Sequence, residues 1–247
     1  MDEISSLSAS LCSVLPEGAR LLRLRETEST NTLARALLSD CAAPHGTVII
    51  ADRQTGGRGR HGKAFFSPEG GLYLSLIWKE RPNAPFTVLA AAAVCRVLRQ
   101  CGAEVSIKWV NDLFWEGKKV CGILCERVES NENRAVIIGI GVNCGTVPFP
   151  TELSSVAGNL PPLTVTRSEL SVLLLRELVR LLQAEDDAPA RNYYAAHMLL
   201  YGKRVRFDRN GEPQHAVVLG LGDKEELLVR LDSGDELALT SGIVIPE

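Results

Sequence analysis

Three apolar segments follow one another at residues 105–110, 119–128 and 135–142, with turn signals at Glu116-Gly117 and at 130–133 between them. A parallel return needs a crossover of about a dozen residues or more, which these connections are too short to hold. The segments are therefore expected to fold back on one another as an antiparallel meander. Helical signals are fewer. The apolar run Phe86–Gln100, stopped by Gly102, reads as a buried helix. Ser29-Thr30-Asn31 offers N-cap side chains ahead of a helix over 32–38. Thr166-x-x-Glu169 has the form of a capping box ahead of a helix over 168–184, and another helix is expected over 189–200. Strands at 47–51 and 72–78 join the sheet. The first twenty or so residues form a Ser- and Leu-rich lead-in, irregular or helical, and the Pro-rich stretch 146–162 is a loop. The class is α+β: a mixed, largely antiparallel sheet packed with helices.

The texture changes after Tyr201-Gly202. Val205, Phe207 and the apolar stretches 216–221, 227–231, 237–239 and 243–245 recur about every ten residues, with Asn210-Gly211 and Ser233-Gly234 as turns. This pattern predicts a small β-barrel. The expected organisation is a catalytic domain at 1–200 and a compact all-β unit at 201–247.

At 45% hydrophobic and 23% charged residues, the chain has ample material for a core. Its net charge of -3 argues against bulk electrostatic binding of nucleic acid. The acidic start, Met1-Asp2-Glu3, is not a secretory signal, and no apolar run approaches the roughly 20 residues of a membrane helix. A soluble, cytoplasmic protein is expected. Seven irregularly spaced cysteines suit free thiols. Cys121 and Cys125 share a strand face, but no matching pair completes a metal site, so they read as small buried hydrophobes.

Four segments carry chemistry. Residues 53–63 (RQTGGRGRHGK) hold four cationic side chains and four glycines, with no acid before Glu69. Such a loop can wrap phosphate oxygens with guanidinium and backbone N–H groups, although Arg-Gly loops also contact RNA. It is neither a P-loop nor a dinucleotide fingerprint. Lys108-Trp109-Val110-Asn111-Asp112 places a lysine, an amide and a carboxylate at a strand exit, a grouping able to hold phosphate, ribose or magnesium but equally ordinary turn chemistry. Gly122 interrupts the strand opened by Lys119, and Gly139 and Gly141 share a face of the next strand. The first marks close approach of a ligand or else a bulge with a surface lysine at a hairpin, and the second leaves room for a ligand or for close sheet packing.

Taken together and in order, Ser29-Thr30-Asn31, Gln54 with Gly57-Arg58-Gly59-Arg60-x-Gly62, Lys108-Trp109-x-Asn111-Asp112, Lys119-x-x-Gly122-Ile123-Leu124-x-Glu126 and Gly139-x-Gly141-x-Asn143 closely resemble the biotin protein ligases. The resemblance runs from about Glu26 to the C-terminus. It implies a class II synthetase-like catalytic domain and a C-terminal SH3-like barrel. It also implies ATP-dependent formation of biotinoyl-AMP and transfer of biotin to a lysine of a biotin carboxyl carrier domain.

By resemblance, Ser29, Thr30, Asn31, Gln54, Gly57, Arg58, Gly59, Arg60, Lys119, Gly122 and Gly139 face biotin. Arg58, Lys108, Asn111, Asp112, Gly141 and Asn143 lie on the nucleotide side, with Asp112 toward magnesium. Lys119, Arg58, Arg60 and Asp112 are the catalytic candidates. ATP with magnesium and biotin are substrates, with no tightly bound prosthetic group implied, and the glycine loop is expected to order over the adenylate. The sequence departs from the family at Phe65, where tryptophan is common, at Val110, where proline is usual, and at Lys63, in place of arginine. None of these removes a reacting group. About 28 residues precede Ser29, fewer than the roughly 50 of an independent domain, so the short class without DNA binding is expected. The family often forms homodimers. The related lipoate ligases and octanoyltransferases are the nearest alternative, and a non-enzymatic RNA-binding protein is another.

Overall fold

The computed structural model describes residues 13–40, 43–79, 81, 83–129, 134–209 and 211–247. The larger sheet is built from β1 (Leu21–Thr27), β2 (Val48–Gln54), β3 (Leu72–Trp78), β4 (Ser106–Lys108), β5 (Asp112–Trp115), β6 (Lys118–Glu129) and β7 (Arg134–Val142). Its strand order is β1-β2-β3-β7-β6-β5-β4. Only β1 and β2 run parallel, and the crossover between them is α1 (Thr30–Ser39). Every other neighbouring pair is antiparallel.

The two faces of this sheet have different partners. On β2 and β3, Val48, Ile50, Leu72, Leu74, Leu76 and Trp78 pack into the main core with α2 (Phe86–Gln100) and α3 (Arg167–Leu182). The alternate residues Ile49 and Ile77, with Ala135 and Ile137 of β7, pack under Ala34 and Leu38 of α1. Covered on both faces, β3 is buried along its whole length, as a central strand with period-2 alternation requires. Helix α1 covers only part of its face, and the site lies beyond its N-terminal end.

The meander has four strands where three were expected. Asp112, read as part of a turn, begins β5, which pairs with β4 on one side and with β6 across a bulge on the other. The turn residues are Trp109, Val110 and Asn111, and the Trp109–Val110 peptide is cis. Strand β1 was also not anticipated, although Leu22-Arg23-Leu24-Arg25 alternates as a half-buried strand does. Helix α4 (Ala188–Ala196) ends earlier than residue 200. The chain leaves it to pair with β4: Ile107 N donates to His197 O at 2.8 Å, and Leu199 N donates to Ile107 O at 2.8 Å. This pairing covers the sheet's open edge and outcompetes another helical turn. Helix α3 starts at Arg167 and has the full reciprocal capping box of Thr166 and Glu169.

The C-terminal strands are β8 (Arg204–Arg209), β9 (Glu212–Leu221), β10 (Leu227–Leu231), β11 (Glu236–Leu239) and β12 (Ile245–Pro246). They form an antiparallel sheet in the order β11-β10-β9-β8-β12. A closed barrel is not what the pairing gives: among the described residues β11 and β12 are the two edges of an open ladder. Asn210 of the expected hairpin turn and the expected turn at 130–133 lie outside the described residues, as do the lead-in at 1–12, Cys12 and Cys41. Val205, Phe207, Ala216, Val218, Leu227, Val229 and Val244 join the same continuous core as the larger sheet. Among the described residues, no helix is long and apolar enough to cross a membrane.

Candidate active site

A cavity of about 330 Å³ opens on the α1 face of the sheet, where α1 stops covering β6 and β7. Its volume is at the small end of ordinary ligand pockets. The floor is glycine. Gly122 and Gly141 are register partners on β6 and β7, and Gly139 lies beside Leu124. Side chains here would collide with what covers the floor: a Cβ on Gly141 or Gly122 would come within 2.5 or 2.8 Å of the Phe65 ring, and one on Gly139 would strike the Asn31 carboxamide. The glycines thus let an aromatic ring and an amide lie directly on the strands.

One end of the cavity is neutral and hydrogen-bonded. Ser29 caps α1, its hydroxyl accepting from Thr32 N at 3.4 Å. Thr30 N donates to Gln54 Oε1 at 2.8 Å, and Gln54 Nε2 donates to Ser67 Oγ at 2.9 Å. Asn31 Nδ2 donates to Glu126 Oε2 at 2.8 Å, and Glu126 also receives Arg35 at 2.8 Å. Ser75 is buried between Thr30 and Asn31. These side chains, from α1, β2, β3 and β6, hold one another in fixed geometry.

The other end is cationic. Arg58, Arg60, Lys63, Lys108 and Lys119 line the cavity, and Asp112 is the sole carboxylate among the lining residues. The glycine loop is pinned by an Arg58–Ala64 bridge and by a 3-10 turn, Arg60–Gly62, with His61 and Gly62 left-handed at φ 56° and 73°. Arg60 makes a long 3.5 Å contact with Asn111 Oδ1, while Asn111 Nδ2 donates to Ile123 O at 2.7 Å. Lys119 Nζ pairs with Asp112 Oδ1 at 2.6 Å and stands 5.6 Å from the centre of the Phe65 ring. An uncompensated cluster of this kind attracts an anionic ligand.

No group of three His, Cys, Asp or Glu side chains able to hold a metal occurs among the described residues. With Asp112 already engaged by Lys119, these residues do not form a resident magnesium site. Cys121 is buried and Cys125 half-buried, and burial pushes the Cys125 thiol up to about 12 and that of Cys121 further.

Of the residues assigned a biotin, nucleotide or catalytic role from the sequence, all but two line this cavity. Gly57 sits behind it, packed against Phe65 O and Ser67 Oγ. Asn143 is buried outside it, where Nδ2 donates to Gly158 O at 3.1 Å and to Lys119 O at 3.4 Å. Three features were missed. Ser75 is a lone polar residue in an apolar strand, a signal that was available. Glu126 belongs to one of the family-like blocks, but only the structure shows its task of holding Asn31 and Arg35. The wall formed by Gly242, Ile243 and Val244 comes from a segment whose sequence carries no chemical signal at all.

Residues 24–143 match the biotin/lipoate A/B protein ligase family. Over 234 residues the chain is 32% identical to the bifunctional ligase/repressor BirA of Bacillus subtilis (strain 168), a match covering 88% of this chain and 71% of that one. The chain belongs to the biotin protein ligase family. This ligase is also 29% identical to the biotin–[acetyl-CoA-carboxylase] ligase of Paracoccus denitrificans over 233 residues, 87% of this chain and 95% of that protein. Among solved structures, the biotin protein ligase from Aquifex aeolicus in complex with biotin and ATP matches with a TM-score of 0.77 and 25% identity, covering 92% of this ligase and 98% of that chain. The protein is thus an enzyme of the biotin protein ligase kind, with a largely antiparallel α+β fold.

Proposed function

We propose that this enzyme joins biotin to ATP as biotinoyl-AMP, with release of pyrophosphate, and then passes the biotinoyl group to a lysine of a biotin carboxyl carrier domain. The observation that carries this reading is the division of one cavity into a neutral hydrogen-bonding end and a cationic end across a glycine floor. A cyclic urea fits the first, and a carboxylate meeting a triphosphate fits the second. The division also favours biotin over lipoate, whose dithiolane ring would leave the polar end without partners.

A carboxylate is a poor acyl donor because oxide is a poor leaving group. Attack of biotin's carboxylate on the α-phosphorus replaces oxide with AMP, but it brings two anions together. In this reading Lys119, Arg58 and Arg60 offset that repulsion and the charge gathering on phosphorus. Lys108 and Asn111 bind on the nucleotide side, and Asp112 holds Lys119 in place. Magnesium enters with the nucleotide as part of the substrate. The mixed anhydride hydrolyses in water, so closure of residues 56–63 over it protects it until the carrier amine attacks its carbonyl carbon, releasing AMP. Residues 1–200 carry the chemistry in this account. Residues 201–247 supply a wall through 242–244.

The test is incubation of the full chain with ATP, biotin and a purified biotin carboxyl carrier domain. Mass spectrometry is expected to find one biotinyl group on one lysine, dependent on ATP. An unmodified carrier, or modification without ATP, would contradict the proposal.

A further inference from the structure

Ser75 is fully buried on β3, facing the cavity side of the sheet. Its Oγ lies 2.6 Å from Asn31 Oδ1 and 2.7 Å from Thr30 Oγ1, and Thr30 Oγ1 lies 3.1 Å from Gln54 Oε1. Three oxygen–oxygen contacts thus run in a row, and the two hydroxyls among them have only two protons to share.

The surroundings fix both amides. Asn31 Nδ2 faces two acceptors, Leu124 O at 3.2 Å and Glu126 Oε2 at 2.8 Å, so the oxygen of that amide is the atom beside Ser75. Gln54 Nε2 faces Ser67 Oγ, whose proton goes to Phe65 O at 2.9 Å, while Gln54 Oε1 takes the Thr30 N–H.

If Ser75 donated to Thr30, Asn31 Oδ1 would meet a bare oxygen at 2.6 Å. If Thr30 donated to Gln54, the 2.7 Å contact with Ser75 would hold no proton. Only one arrangement gives a proton to both short contacts: Thr30 donates to Ser75, and Ser75 donates to Asn31. The contact left bare is the longest, and Gln54 Oε1 is already served by a backbone N–H.

We infer that Ser75 fixes the Thr30 hydroxyl as a hydrogen-bond acceptor toward the cavity, so that this end selects a ligand presenting an N–H there. On the biotin reading, on which this rests, the donor is a ureido N–H. A ligand with an ether oxygen at that position meets lone pair against lone pair and is rejected, because Thr30's proton is committed to Ser75. Ser75 is a positioning residue: it acts through Thr30 and sets the polarity of the subsite.

The experiment is ATP–pyrophosphate exchange by the full chain with biotin and with its two cyclic carbamate analogues, in each of which one ureido N–H is replaced by oxygen. Wild type is expected to reject at least one analogue. In Ser75→Ala, which frees the Thr30 proton, the KM for biotin rises about tenfold, kcat changes less than KM, and the preference for biotin over that analogue falls by about tenfold or more. Thr30→Val, which keeps the shape and removes the acceptor, loses the same preference and secures the test should Ser75→Ala fail to fold. Full retention of the preference in a folded variant overturns the assignment of Ser75 alone. A wild type inactive with biotin overturns the substrate reading and this inference with it.

Discussion

Lys119 is held through its backbone as well as its side chain. Its N–H donates to Val156 O at 2.9 Å, and its carbonyl accepts from Gly158 N at 3.0 Å and from Asn143 Nδ2 at 3.4 Å. Val120 O receives Asn143 N at 2.8 Å. The strap at 156–158 and the buried Asn143 thereby fix where the ammonium enters the cavity, and Asp112 fixes its direction. This explains how Asn143 can belong to a block read as nucleotide-binding while standing outside the cavity. Sequence spacing groups residues that serve one function, but it does not distinguish contact from support. Lys119→Ala is expected to slow ATP–pyrophosphate exchange about 100-fold or more, while single-turnover transfer from supplied biotinoyl-AMP falls no further than that. Undiminished exchange would remove Lys119 from the first step.

At the scale of elements, legibility followed local physics. Strand β3 and helix α2 were read with their observed limits, because a continuous apolar run bounded by turn residues has few other fates. Strand β5 was missed because its register is set by its neighbours, whereas β1 carries a readable local pattern. Leu22-Arg23-Leu24-Arg25 alternates as a half-buried edge strand does, while β5 opens on Asp112 directly after Asn111, a pair with ordinary turn chemistry. The α3 capping box was legible because both partners lie within four residues. In it, hydrogen bonds from Thr166 N–H and its hydroxyl, each 2.8 Å to Oε2, hold the Glu169 carboxyl below its usual 4.5. A depressed folded value stabilises above the unfolded pKa and is lost as pH falls through the folded one. The stability difference between wild type and Glu169→Gln, from urea titrations across pH, should therefore be largest near neutrality and shrink below about pH 4.5. A difference independent of pH would refute this role.

Across the whole molecule, one turn of the C-terminal sheet is hydrogen-bonded to the elements around the larger sheet. Glu225, left-handed at φ 68°, accepts Val88 N on its carboxylate at 3.2 Å and Trp109 Nε1 on its carbonyl at 2.8 Å. Pro85 gives α2 no side-chain cap, so Glu225 supplies a negative end to that helix from another sheet. Arg191 binds Gly222 O and Asp223 O in the same turn. None of this was legible in sequence, since each bond spans more than thirty residues. With one core running through both sheets, calorimetry is expected to show a single unfolding transition. Two separate transitions would mean that the sheets fold independently. Residues 242–244 of the C-terminal segment line the cavity.

The central claim is that the divided cavity activates biotin in particular. ATP–pyrophosphate exchange measured separately with biotin, octanoate and lipoate tests it most directly. Exchange with biotin alone is the predicted result. Exchange with octanoate or lipoate in place of biotin, or with none of the three, would contradict the account.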